Sequence, residues 1–467
     1  MLNETNQVDV VIAALPYVDT DEPLMAPALL KGIVHKTGLT SFTFDFNIEV
    51  INKLRSVPNN SKVIRWFLYD EFKDCVETNQ QVDQLVQHAA DCILSKNPTW
   101  ICLSLFCRTS KKFNVKLCQY IKKLHPEKII IIGGNGVFTD EKSKRPYGKI
   151  LKKSKIIDHY IVGDGEEPLY NILTGSTDGV DQDSFQVLDD LSKQPFSDYS
   201  DYDWSYYSVK RIPIYSSRGC VRRCTFCDVY KLWKKFKLKS AEDVFSEMLW
   251  QIEQTGIKDF YFRDSLINGS ISEYRKLTAL LAEYNSTNEK KITWTSFFIF
   301  RPETQMTEDD WKLTGASGAD NLVIGVESLV DSIRYHMRKK FTNKDMLVGL
   351  QMAKKYNVDL TLLLIIGYVN ETEKDFEESL QWLHDHKEFA KMPIKHVGVG
   401  GTLTVTDLSD LYQNAEGFDI TLGDKIYLWE NKKINLTFDV REKRKETFIN
   451  LATSLGYPIS SHEQPVT

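Results

Sequence analysis

The stretch Ser216–Tyr230, SSRGCVRRCTFCDVY, sets Cys220, Cys224 and Cys227 within eight residues, while five other cysteines are spread through the rest of the chain. It follows directly on IPIYSS (Ile212–Ser217), an apolar run with the character of a strand. A closed zinc site would normally draw on a second C-x-x-C hook or a histidine, and no histidine lies between His159 and His336. A disulfide framework fits neither the odd number of cysteines nor the reducing compartment expected below. Three thiolates on one loop after a strand suit an iron–sulfur cluster with one iron left open.

Outward from this loop, strand-like and helix-like segments alternate. The strand-like runs are IPIYSS, DFYFRDS (259–265), ITWTSFF (292–298), NLVIGVES (321–328), LTLLLIIG (360–367) and HVGVGG (396–401). Capping boxes mark the intervening helices, a Ser or Thr facing an acid three residues on: Ser240 with Asp243, Ser270 with Glu273, Thr307 with Asp310, Thr342 with Asp345 and Thr372 with Asp375. In the first of these helices Phe245, Met248, Leu249 and Ile252 form the expected apolar stripe. Six βα units predict a partial barrel over residues 209–390, with its chemistry at the C-terminal ends of the strands. The cysteine loop lies at the first of those ends. From 391 to 467 the pattern is less regular and reads as a small α+β extension.

Towards the N-terminus a second alternating series occupies residues 1–175: VDVVIAAL (8–15), a helix ending at Gly38, LTSFTFDFN (39–47), a helix from about Val82, TWICLSLF (99–106), VKLCQYIKKLH (115–125), KIIIIGG (128–134) and DHYIVGDGEEPLYNIL (158–173). Such a series predicts a Rossmann-like α/β domain with a parallel sheet covered on both faces. Ligands on such sheets bind beyond the carboxyl ends of the strands, here Ala14–Pro16, Ser104–Arg108, Gly133–Asn135 and Gly163–Gly165. Residues 176–208, rich in Asp, Ser, Gly and Tyr, read as a linker that still packs.

The C-x-x-x-C-x-x-C loop after a first barrel strand, with Phe226 before the last cysteine, resembles the radical S-adenosylmethionine (SAM) superfamily. The resemblance implies that Cys220, Cys224 and Cys227 hold a [4Fe–4S] cluster and that SAM chelates the fourth iron. The reduced cluster then cleaves SAM to a 5′-deoxyadenosyl radical. It implies further that Phe226 packs beside the cluster and that Asp264 ends the second strand as the family's acid. Glu327 would face the SAM ribose or amino group, and Lys339 or its neighbour Arg338 the carboxylate. Gly367 would lie where the backbone approaches adenine.

A Rossmann-like domain ahead of such a barrel is similar to the cobalamin-binding class of the superfamily. In that resemblance Ser104, Gly133, Gly134, Asn135, Gly163, Gly165 and Glu166 border the cobalamin. Two departures stand out: no D-x-H-x-x-G motif follows the first strand, and Asn135 stands where a Pro-His pair often follows the glycines. The class implies cobalamin-dependent methyl transfer to an unactivated carbon or phosphorus. It also implies a small-molecule substrate and a reductant such as flavodoxin or ferredoxin. The alternatives are a radical SAM enzyme that modifies RNA or a peptide without cobalamin, and a SAM-binding iron–sulfur scaffold without turnover.

Composition sets outer bounds. Apolar content of 42% and charged content of 26% are those of a globular protein, and a net charge of −5 supports no bulk grip on nucleic acid. The basic run Lys231, Lys234, Lys235, Lys237 and Lys239 reads first as a solvated face and second as a contact for an anionic substrate. No apolar run is long enough to span a membrane and no leader pattern opens the chain, so the expected location is cytoplasmic. Cys75, Cys92, Cys102, Cys107 and Cys118 read as buried core residues.

Overall fold

The computed structural model describes residues 7–16, 21–55, 61–69, 74–105, 108–138 and 147–460. The chain divides into two compact units, one of residues 1–213 with 251–257 and one of residues 214–250 with 258–466.

The first unit is built on five strands, β1 (Val10–Ala14), β2 (Ser41–Asp45), β3 (Trp100–Ser104), β4 (Ile129–Gly133) and β5 (His159–Tyr160), in the order β2-β1-β3-β4-β5 and all parallel. Alternate residues of β1 enter different cores, Val11 and Ala13 one and Val10 and Ile12 the other. A sheet buried on both faces has this signature. Helices α1 (Met25–Lys36), α2 (Phe46–Arg55), α3 (Ser61–Tyr69), α4 (Val76–Ser95), α5 (Lys111–Leu124), α6 (Tyr147–Lys153) and α7 (Glu166–Leu173) supply the cover. The switch in strand order falls between β1 and β3, which sets the crevice beyond the carboxyl ends of the strands. Helix α4 begins six residues before the expected Val82, and β5 is shorter than its apolar run.

The stretch 176–208 packs within this unit. Lys31 on α1 pairs with Asp201 at 2.6 Å, and the Thr43 amide of β2 donates to the same carboxylate at 2.8 Å. Tyr207 donates to Asp45 at 2.8 Å, and Tyr199, Tyr202, Trp204 and Tyr207 form a run of ring contacts.

In the second unit seven strands form one sheet: β6 (Ile212–Ile214), β9 (Asp259–Phe262), β10 (Thr293–Phe298), β11 (Ala319–Glu327), β12 (Asp359–Leu364), β13 (Ile394–Val399) and an added edge strand β16 (Ile459–Ser460). Two short ladders accompany it, β7 (Ser217–Arg218) with β8 (Lys237–Leu238) and β14 (Thr421–Leu422) with β15 (Trp429–Glu430). The helices are α8 (Val229–Leu232), α9 (Ala241–Thr255), α10 (Ile271–Thr287), α11 (Glu308–Ala316), α12 (Asp331–His336), α13 (Asn343–Lys355), α14 (Glu373–Asp385), α15 (Asp410–Gln413) and α16 (Phe438–Ser454).

All six expected barrel strands are present, and α13 and α14 start on reciprocal capping boxes at Thr342 and Thr372. At Ser270 the serine accepts from the Glu273 amide, but the Glu273 carboxylate turns instead to the Ala241 amide at 3.0 Å. The stripe on α9 needs correction: Leu249 is exposed, whereas Glu247 is buried because Lys239 neutralises it at 2.7 Å. Lys239 thereby leaves the solvated face to which its basic run was assigned.

Candidate active site

The cysteine loop leaves the sheet at β6 and is closed at its base by the β7–β8 ladder, so residues 219–236 form a tied excursion. Asp264, just past β9, fixes where it starts. Its carboxylate accepts from the Ser216 amide at 2.9 Å and the Ser216 hydroxyl at 2.7 Å, and also from the Ser217 hydroxyl. Burial raises the pKa of Asp264, opposed by these hydrogen bonds. Both of its oxygens are engaged by the loop base, so it acts here as a positioning group.

Within the loop Cys224 is buried, Cys220 and Cys227 are half-buried, and all three are free thiols. Burial pushes the Cys224 thiol up and that of Cys227 to about 11. Three free thiols on one loop suit an iron–sulfur cluster.

Across from the loop, β11 ends on a bulge at Gly325–Glu327, and Glu327 takes the left-handed φ of +67°. That conformation is costly for a residue with a Cβ and marks a position held by its surroundings. Its carboxylate meets Lys339 Nζ at 2.9 Å, and the same ammonium donates to the Gly325 carbonyl at 2.7 Å. Lys339 stands 5.7 Å above the Phe226 ring. Burial opposes the charge on Lys339, but Glu327 and the cysteine sulfurs outweigh it and lift its pKa above the ordinary value. The fold thus brings Phe226, Glu327 and Lys339 together beside the thiols. Arg338 faces away, paired with Asp410.

Gly367, at φ +76°, lies beyond the end of β12. A Cβ there would meet Arg441 Cγ at 2.5 Å, so packing against α16 already accounts for the glycine.

Several residues that tie the loop down carried no motif. Thr225 and Tyr368 share a hydrogen bond of 2.6 Å, and His336 Nδ1 lies 3.3 Å from the same phenol. Residues 391–460 supply further anchors: Thr406 donates to Asp228 at 2.6 Å, the Leu411 amide to the Thr225 carbonyl at 3.1 Å, and Asp410 accepts from Tyr230 and pairs with Lys231. Only pairing across long sequence separations reveals these groups. A cavity of about 500 Å³ opens beside Cys220, lined also by Val221, Arg223, Tyr230, Lys234 and Phe236.

In the first unit, Ser104 and Gly133 end neighbouring strands in register. Gly134, at φ +101°, turns the chain so that a Cβ would lie 2.7 Å from the Leu105 carbonyl oxygen. Gly133 differs: a Cβ there would meet Ile161 at an ordinary 3.8 Å, and Gly165 is similarly uncrowded. The protein's own packing does not demand a glycine at either position, which fits a bulky ligand laid against the backbone there. Asn135 is exposed, and Glu166 is buried at the start of α7. Gly163 requires a different account. At φ +94° its missing Cβ makes room for the Gln186 backbone at 2.4 Å, so its space is filled by the chain itself.

Of the remaining cysteines, Cys102 and Cys118 are buried as expected. Cys75 at the start of α4 and Cys92, which packs at the margin of the first unit's core, are only partly buried, which corrects the fully buried reading. Cys107 lies outside the described residues.

The family model described as the radical SAM superfamily matches residues 214–383. The chain is 22% identical over 351 residues to the anaerobic magnesium-protoporphyrin IX monomethyl ester cyclase of Rubrivivax gelatinosus, covering 68% of this chain and 57% of that protein. It is 25% identical over 356 residues to the bacteriochlorophyllide d C-12(1)-methyltransferase of Chlorobaculum tepidum, covering 73% of this chain and 72% of the relative. It therefore spans little more than half of the cyclase's length. Among solved structures, the radical S-adenosylmethionine methyltransferase TsrM of Kitasatospora setae, with tryptophan substrate and aza-SAM, matches with a TM-score of 0.65 at 13% identity over 98% of this chain and 93% of that one. A second TsrM structure, with cobalamin and a [4Fe–4S] cluster bound, gives 0.61 at 14% identity over 93% and 85%. At these identities the structural likeness is one of fold: a Rossmann-like domain followed by a radical SAM barrel. Among the described residues no helix is long and apolar enough to cross a membrane.

Proposed function

Because residues 214–383 make this chain a member of the radical SAM superfamily, we propose that it is a cobalamin-dependent methyltransferase acting on an unactivated carbon or phosphorus of a small molecule. The observation that carries the reading is the buried Glu327–Lys339 pair set against Phe226 beside three free thiols. Cys220, Cys224 and Cys227 are the residues that would hold a [4Fe–4S] cluster, which supplies one-electron reductive cleavage of SAM. Lys339 offers a fixed cation to the SAM carboxylate and Glu327 an acceptor to its amino group or ribose. Phe226 covers one side against water, and Asp264 keeps the loop base in register through Ser216 and Ser217.

Methyl transfer rests on different support. The relatives include a methyltransferase, and TsrM, which shares the fold over nearly the whole chain, is one that carries cobalamin. The uncrowded Gly133, with Ser104 and Asn135 at the carboxyl ends of β3 and β4, is where cobalamin would be held, and cobalamin supplies a methyl carrier. The reaction also calls for a reductant such as flavodoxin or ferredoxin.

The test is anaerobic reconstitution with iron, sulfide and hydroxocobalamin, followed by SAM carrying a labelled methyl group and dithionite. Retained corrin, 5′-deoxyadenosine and loss of both cluster and cleavage in Cys224→Ala are expected. Corrin lost on desalting would remove the cobalamin reading while leaving the radical SAM reading intact. A fully loaded cluster that leaves SAM uncleaved would sink both in favour of a scaffold.

A further inference from the structure

In the first unit, three potential metal ligands converge: Glu49 on α2 and His88 and Cys92 on α4, with one donor atom of each lying within 4.8 Å of the others. His88 and Cys92 are four residues apart on one helix, the spacing that stacks two side chains on one face. Glu49 reaches them from the neighbouring helix. All three are partly exposed, so a solvated ion has access.

The separations are informative. His88 Nε2 lies 3.7 Å from Cys92 Sγ and 3.6 Å from Glu49 Oε2. The second is longer than the usual range of ~2.7–3.2 Å for a hydrogen bond from nitrogen to oxygen. A tetrahedral zinc, with bonds of ~2.0 Å to nitrogen and oxygen and ~2.3 Å to sulfur, would hold its N···S pair about 3.5 Å apart and its N···O pair about 3.3 Å apart. Both separations exceed those edges by a few tenths of an ångström, and Cys92 Sγ also lies 4.0 Å from His88 Nδ1, so an ion would draw the three groups together by turning the His88 ring.

We propose that Glu49, His88 and Cys92 form a site for a divalent transition-metal ion of the zinc class, pinning α2 to α4 and leaving the fourth position to water. Mixed nitrogen, sulfur and carboxylate donors suit a borderline-soft ion and not magnesium or calcium. The charge of Lys53, one turn beyond Glu49 on α2, is felt by all three groups and competes with the ion. The site is independent of the cluster loop and of the proposed methyl transfer.

The experiment uses the full chain with its iron–sulfur cluster already built, so that Cys220, Cys224 and Cys227 are occupied. Zinc is titrated in, bound metal is counted after gel filtration, and the zinc K-edge absorption spectrum is recorded. One zinc per chain is expected, with a single sulfur neighbour at ~2.3 Å and nitrogen or oxygen for the rest. Cys92→Ser and His88→Ala should each weaken binding by at least about tenfold. Lys53→Met, a change at an exposed side chain, should tighten it, a result that a misfolded variant could not mimic. No zinc retained, a spectrum with three or more sulfurs, or equal affinity in the parent, Cys92→Ser and Lys53→Met would overturn the proposal.

Discussion

Glu327 and Lys339 carry opposite charges with side chains only 14% and 10% exposed. Removing one partner leaves an uncompensated buried charge, which costs about 3–5 kcal/mol, whereas removing both together costs far less. Lys339→Met should therefore destabilise the second unit by about that amount, and Glu327→Gln combined with Lys339→Met should recover most of it. Denaturant midpoints of the parent, both single variants and the double variant measure the coupling. Near-additive losses would mean that the pair is not coupled. The two adjacent glycines of the first unit give a second residue-scale contrast. Gly134→Ala places a Cβ against the Leu105 carbonyl at positive φ and should cost about 2 kcal/mol or more. Gly133→Ala meets only ordinary contacts, so stability should change by less than ~0.5 kcal/mol. Corrin retained on desalting should nevertheless fall in Gly133→Ala, and an unaffected corrin content would remove Gly133 from the proposed cobalamin site. The glycines were legible as turns from sequence. The reason for each was not, because it depends on which atom lies where a Cβ would be: Leu105 for Gly134, Gln186 for Gly163, Arg441 for Gly367.

Among the elements, α15 joins the cysteine loop through Asp410, which meets Tyr230, Lys231 and Arg338. Burial alone would raise the Asp410 pKa, but its bonds to Lys231, Tyr230 and Arg338 lower it to about 2. The sign follows directly. An acid whose pKa is depressed on folding stabilises the folded state above the unfolded value of ~3.9, and loses that contribution as the pH falls through 2. The shift corresponds to about 2 kcal/mol. Asp410→Asn should lower the denaturant midpoint at pH 6, and the gap to the parent should narrow as the pH is taken towards 3. A gap of constant size across that range would show that the ionised carboxylate contributes nothing. Capping boxes were readable because they are local, each confined to four residues. The anchors at Thr406, Asp410 and Leu411 were not, because their partners Asp228, Tyr230 and Thr225 lie some 180 residues away.

For the molecule as a whole, the extension after the barrel has structural consequences for the site. Leu403, Val405, Leu411, Ile420, Trp429 and Leu436 share one core with Val330, Ile333, Met337 and Tyr368, and Phe226 packs against it. A chain ending after Gly401 would expose the barrel side of that core and free the cysteine loop from three of its anchors. It should bind a hydrophobic dye and incorporate little iron on reconstitution. A truncated chain that takes up a full cluster would show the extension to be dispensable for the site. The sequence by itself determined the two α/β units, the parallel order of elements, the starts of the barrel helices marked by capping boxes and the three thiols. These depend on periodicity and on spacing within a loop. Tertiary structure alone decided that Lys339 and not Arg338 faces Glu327, that Asp264 holds the loop base, that Gln186 fills the space at Gly163 and that the tail secures the site. Each of those outcomes depends on which distant side chain reaches a buried polar group or an empty Cβ position, and no local pattern encodes that.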